Sequence, residues 1–300
     1  MSPRPRGTEG LTRNPFRLLV MALAMVLPVT TTARAQEAPS PPLAVIADAD
    51  TTVYLFGVVN TVRPGVAWSR PGIEQALAAS DNLWVETRAD DDAAGLVMAR
   101  GFSDTHSLWE ALPTQTAANL RALVGGDIDN ATLDRMKPWL AGLLAVGIVL
   151  DDAGYSNGAL IGRELEAMAL RQGMGVHSIE TSAEQIDLLD SVAPASAIGL
   201  LEWITRDPDG YVERLDASIA DWLAGDPEAA VLREVDAMQQ CCPDMLAKLT
   251  GARSARVADH IEGLLEQPGA HFIVVSLLTV HGERGALAIL TSRGHVIGVL

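Results

Sequence analysis

Ten residues from Thr51 run TTVYLFGVVN, β-branched and aromatic with few polar side chains, until Arg63-Pro64-Gly65 breaks the pattern. An apolar run of this length bounded by turn residues predicts a strand buried on both faces. Helical spacing over Ile73–Ala79 follows Pro71, and a second apolar strand over Asp81–Thr87 ends in the carboxylate Glu86, which gives a β-α-β start. From Leu108 to Leu223 the pattern is mostly helical. Apolar residues recur at three and four through Leu120, Leu123, Leu133, Met136 and Leu140, and again through Leu160, Leu165, Met168 and Ala169. One short strand, Met174–Ile179, interrupts this stretch. The 12-residue apolar run Trp139–Leu150 stops at Asp151-Asp152 and predicts a buried core helix, being too short to span a membrane. The tail returns to a helix over Val257–Leu265, a strand over His271–Leu278, a helix over Gly285–Thr291 and a strand over His295–Leu300. The expected fold class is α/β of the α+β kind: a mixed sheet formed by N- and C-terminal strands with a large helical middle.

The first residues follow a different rule. Arg4, Arg6, Arg13 and Arg17 stand against the single acid Glu9, a 12-residue apolar run covers Leu18–Val29, and Ala33-Arg34-Ala35 precedes Gln36. A basic segment, a short apolar segment and an A-x-A site describe a secretory signal peptide, with cleavage expected after Ala35 and an uncleaved anchor as the alternative. Residues 1–35 are therefore set apart, 36–44 are expected to be a flexible Pro-rich linker, and 45–300 one domain. No transmembrane helix is expected in the mature chain, and the destination is the periplasm or the extracellular space.

Charge narrows the partners. The chain of 300 residues carries 22 Lys and Arg against 38 Asp and Glu; residues 1–35 hold five of the former and one of the latter, so residues 36–300 keep 17 and 37, a net of −20. Such a surface lacks the footprint that neutralises phosphates, so nucleic acid is not an expected partner. An unidentified protein or small-molecule ligand is.

Generic catalytic motifs are absent. There is no G-x-S-x-G, no phosphate-binding loop, no G-x-G-x-x-G and no H-E-x-x-H, and no two of the six histidines stand four apart. Asp127, Asp129 and Asn130 resemble the start of a calcium loop without its Gly and closing Glu, which favours helix capping ahead of Leu133. Asp90-Asp91-Asp92 reads as a solvated loop. The two cysteines, Cys241 and Cys242, are adjacent and precede Pro243. Adjacent Cα atoms lie about 3.8 Å apart, under the roughly 4.4 Å at which ordinary disulfides begin, so two inert thiols at a helix-to-loop junction are expected, with a reactive pair, a soft-metal site or an intermolecular link as alternatives.

Five blocks, TVYLFGVVNTVRPGVAW (52–68), SDNLWVET (80–87), LDRMKPWLAGL (133–143), SIETSAEQIDLLD (178–190) and DWLAGDPEA (221–229), come in an order that resembles the TraB/PrgY/GumN family, which includes the Tiki proteins. The tail over 271–300 follows the closing strand, helix and strand of the same family. The resemblance implies a metal-dependent hydrolase, described for some members as a peptidase, built on two strand-borne G-x-x-H motifs and a Glu at the end of the second strand. This sequence departs from it at both motifs. The first reads Gly57-Val58-Val59-Asn60, with Asn60 in the place of the ligand histidine, and the second aligns with Ser276-Leu277-Leu278-Thr279, with Thr279 in that place. Glu86 is kept, as is Arg253 of the family's Arg-Asn pair, while Ser254 replaces the Asn.

The resemblance thus leaves Gly57, Asn60, Glu86, Arg253 and Thr279 at the site positions, a poor cage for zinc or manganese. Without a metal Glu86 needs a counter-charge, and Arg253 is the expected partner. The leading expectation is an exported family member with a degenerate metal site, a non-catalytic binding or regulatory module without a cofactor. The alternative is a metal-dependent hydrolase of an extracytoplasmic peptide or envelope component that uses Glu86, a divalent metal and a replacement ligand, His281 or His177. His281 would share a strand face with Thr279 if the strand continued.

Overall fold

The computed structural model describes residues 40–88, 92–126, 128–155 and 159–300. The expected signal peptide, the linker before Ser40, and Asp90, Asp91 and Asp127 lie outside the described residues.

Eight strands are described: β1 Ala44–Ala47, β2 Thr51–Val58, β3 Thr61–Val62, β4 Asn82–Thr87, β5 Ala159–Leu160, β6 Gly175–Glu180, β7 Gly269–Ser276 and β8 Gly298–Val299. Six form one sheet in the order β6-β4-β7-β2-β1-β8, and β3 pairs with β5 in a small second sheet. The first four in that order are mutually parallel, while β1 runs antiparallel to β2 and to β8. The sheet is mixed, as expected, but β6 from the helical middle joins the terminal strands.

Strand β1 was not foreseen. Its four residues AVIA follow a Pro-rich segment and are too short to show a period, yet the turn after them is encoded: the Asp48 carboxylate accepts the backbone N–H groups of Asp50 at 3.1 Å and Thr51 at 2.8 Å. Within residues 40–44, expected as the end of a flexible linker, Pro41, Leu43 and Ala44 are buried. Leu43 is fully buried, Ala44 opens β1, and the Ser40 N–H donates to the Leu223 carbonyl at 2.8 Å.

The central strands β2 and β7 bury both faces, and alternation along them and β4 assigns the buried residues to one core or the other. Phe56, Val58, Leu83, Val85, Phe272 and Val274 face one cluster with Trp222 and Leu165. Val53, Leu55, Ile273 and Val275 face the other with Val257 and Ile261 of the Gly251–Leu265 helix. A third cluster around Leu120, Trp139, Leu201 and Ile204 fills the helical middle. Trp139 lies on the Pro138–Asp152 helix, which buries one face through Trp139, Ala141, Ala145 and Val149 and leaves Leu143 exposed, so its apolar run is only partly covered. No single described helix is long and apolar enough to cross a membrane.

Candidate functional site

Four parallel strands end together, and their carboxyl ends carry the polar residues of the site. Ligands of open parallel sheets bind beyond that edge, where backbone groups and loop side chains converge. Beyond β2 stands Asn60, exposed in the loop; at the end of β4 stands Glu86; β6 ends in Glu180; and the turn after β7, Leu277–Val280, carries the fully buried Thr279.

Glu86 is engaged at both oxygens. Its Oε1 accepts the Thr279 hydroxyl at 3.2 Å and faces Arg253 Nη1 at 3.3 Å, and its Oε2 accepts the Ser276 N–H at 3.3 Å. Arg253 comes from the first turn of the Gly251–Leu265 helix and bridges Glu86 to a second carboxylate, Glu180, which it meets through both Nη2 and Nε. Glu180 also accepts the Thr87 hydroxyl at 3.0 Å and pairs with Arg256 at 3.3 Å. The side chains are 2% exposed at Glu180, 9% at Arg253 and 19% at Glu86, so two carboxylates and the guanidinium between them form a largely buried core, with the 41% exposed Arg256 at its edge, where it also meets Glu184 at 3.5 Å. Burial pushes the Glu86 carboxyl above its ordinary value; Arg253 pulls it back and the like charge of Glu180 adds to the rise.

Gly57 lies tightly against the turn after β7. A Cβ there would sit 3.1 Å from Val280 Cβ and 3.2 Å from His281 Cδ2, so a larger residue would push away the turn that carries Thr279. The Gly57 carbonyl accepts the Trp222 indole N–H at 2.9 Å.

The expected replacement ligands have other partners. His281 Nδ1 is 3.1 Å from Glu228 Oε1, and its ring lines a small cavity of about 270 Å³ with Val231 and Leu278, apart from the cleft at Glu86. Burial holds its pKa below the ordinary histidine value. The strand face expected to join it to Thr279 is absent because β7 stops at Ser276; two residues along a helical turn rotate a side chain by about 200°. His177 is exposed on β6, 3.1 Å from Asn82 Oδ1 and stacked on Trp84 at 4.6 Å.

Those positions do not fit the divalent cation that the family resemblance implies. Asn60 offers an exposed amide, Thr279 donates its hydroxyl to Glu86, and Glu86 is already paired with a guanidinium. Among the described residues no three His, Cys, Asp or Glu side chains are grouped to hold a metal ion. Ser254, beside Arg253, is fully buried with its hydroxyl unpartnered.

In front of the strand ends lies a cleft of about 830 Å³. Its polar floor includes Asn60, Glu86 and Ser276, and its apolar rim includes Leu143, Leu160 and Leu170, which are 43%, 45% and 55% exposed. The exposed Arg163 adds a cation.

Sequence reasoning missed Glu180 and Arg256. The third parallel strand was expected to end at Ile179, although Thr181 and Glu184 form a capping box that starts the next helix and marks the residue before it as the strand's last. The cysteines also depart from expectation. Cys241 and Cys242 are joined as a vicinal disulfide, not two inert thiols, at a junction between the Pro227–Cys241 and Pro243–Leu249 helices. Asp129 caps the Asn130–Asp134 helix by accepting the Thr132 N–H at 2.9 Å, the use expected of it.

No match was found among curated proteins or among solved structures. The model of the TraB/PrgY/gumN family matches residues 42–297, from before β1 to just before β8. By that match, which covers strands β1 to β7, the helical middle and every strand end that forms the site, the chain belongs to the TraB/PrgY/gumN family.

Proposed function

We propose that this chain is an exported, non-catalytic binding module, a member of the TraB/PrgY/gumN family whose strand-end site works through fixed charges in place of a metal ion. The observation that carries the reading is the seat of Arg253 on Glu86 at 3.3 Å, with Glu180 closing the pair from the other side. A catalytic metal needs about three protein ligands and an open position for water. Here the one inherited carboxylate is occupied by a hydroxyl, an N–H and a guanidinium, which leaves little lone-pair capacity for a ligand or base role. The cleft beside it has an apolar rim and a polar floor, which suits a small molecule or protein segment with one apolar side. Export, to the periplasm or beyond, rests on the sequence pattern of residues 1–35.

Metal titration tests this. The purified protein, titrated with manganese, cobalt, zinc and calcium, is expected to bind none tighter than the millimolar range, whereas the Asn60→His/Thr279→His variant gains affinity. Because Thr279 is fully buried, Asn60→His alone is measured alongside and the folding of each variant is checked by thermal unfolding. Stoichiometric metal in the natural protein, lost on Glu86→Ala, would overturn the reading and favour a hydrolase that recruits His281 or His177.

A further inference from the structure

Away from the strand ends, the Pro194–Arg206, Pro208–Leu223 and Pro227–Cys241 helices enclose a second cavity, of about 920 Å³. Its wall is built around Trp203, whose ring meets Tyr211 edge-on at 5.4 Å and carries the Arg214 guanidinium 4.6 Å from its centre. A Cβ at Gly199 would collide with the Cys241 carbonyl oxygen, so glycine lets the Pro194–Arg206 and Pro227–Cys241 helices touch beside this wall.

The charges in this cavity are unequally committed: the exposed Glu202 and Arg206 face each other at 3.9 Å on one helix. Arg233 is held by Asp221 at 2.7 Å, and Asp207 accepts the Gly210 N–H at 3.0 Å as a helix cap. Arg214 is not. Its Nη1 is buried without an acceptor, a costly state for a charged donor. Asp236, on the Pro227–Cys241 helix and lining the same cavity, is exposed and makes no ion pair among the described residues. Leu232, 59% exposed on the same helix, adds an apolar surface.

A free guanidinium, a free carboxylate and an aromatic wall select a ligand that carries both charges and an apolar body. We propose that this cavity binds an amino-carboxylate zwitterion, a short peptide or a free amino acid, with its carboxylate on Arg214, its ammonium on Asp236 and its side chain against Trp203 and Leu232. The mixed signs of the wall disfavour polyanions and polycations alike. The volume lies within the range of small-ligand sites.

Calorimetric titration of the full chain tests this with four probes: L-leucyl-L-leucine, its C-terminal amide, its N-acetyl form and free L-leucine. Saturable binding of the dipeptide or of leucine is expected, and whichever binds tighter names the source of the ligand. Capping either terminus, or Arg214→Gln, should weaken binding about tenfold or more, and Asp236→Asn several-fold, as for the loss of one charged hydrogen bond. Thermal unfolding of Arg214→Gln shows whether that variant folds, and Asp236→Asn, at an exposed position, reads the site independently. No saturable binding of either zwitterion, or binding that both substitutions leave within about twofold, would overturn the proposal.

Discussion

The Gly251–Leu265 helix covers two polar regions of the sheet, and they are finished to different degrees. At its first turn, Arg253 and Arg256 meet Glu86 and Glu180, and the carboxylates are saturated by hydroxyl, N–H and guanidinium donors. Two turns later, His260 packs edge-on to Trp84 at 4.3 Å, close to His177 and His271, and three polar atoms there, His260 Nε2, His271 Nδ1 and Trp84 Nε1, are buried with no partner. The first region tolerates charge because every charge is answered. The second leaves buried ring nitrogens unanswered, and burial there disfavours the charged forms of His260 and His271.

The sharpest way to break that contrast is Arg253→Met. It leaves two buried carboxylates facing each other and is expected to cost about 3–5 kcal/mol in denaturant unfolding, whereas Glu86→Gln/Glu180→Gln/Arg253→Met should recover much of the loss. Glu86→Gln alone should cost less than about 1 kcal/mol at neutral pH, because burial already disfavours its charged form. If that single variant costs as much as Arg253→Met, the cluster does not act as a unit.

Acid probes the other region. Burial lowers the pKa of His260, with further lowering by His271 and His177; burial also lowers that of His271, against the pull of Asp81. The unfolded chain therefore takes up protons first as the pH falls through about 6.5, and stability declines from there by at most about 1.4 kcal/mol per pH unit for each extra proton bound. His281, whose pKa burial also lowers, adds in the same direction. The smallest expected effect is His260→Phe. It keeps a ring on Trp84, removes one orphaned nitrogen, changes stability at pH 8 by less than about 1 kcal/mol, and makes the acid decline shallower. An unchanged slope in chemical denaturation between pH 5 and 8 would remove His260 from the account.

How far the sequence carried the fold depends on the element. Strands β2, β4 and β7 are continuous apolar runs long enough to declare themselves, and their observed ends lie within two residues of expectation. β1 is four residues long and shows itself only through the Asp48 turn. Beyond Ser276 the residues Leu277, Leu278 and Val280 stay apolar, so composition cannot show that the chain changes from strand to helical turn there. That change removes His281 from the face of Thr279. In the site, Glu86, Arg253 and Thr279 were legible because the family pattern marks their positions. Glu180 was not, because its role depends on β6 lying next to β4, a pairing no local pattern encodes.

The central pairing of β2 with β7 joins Thr51 to Gly269 and Val58 to Ser276, near the two ends of the domain. With its two middle strands drawn from opposite ends of the domain, the sheet cannot be completed from either half alone. Its folding rate is limited by closure of that long loop, and a nascent chain stopped before Gly269 holds β2 and β4 with the strand between them missing. Assembly of this protein is a late event, completed only once the residues from Gly269 onward are available to the rest.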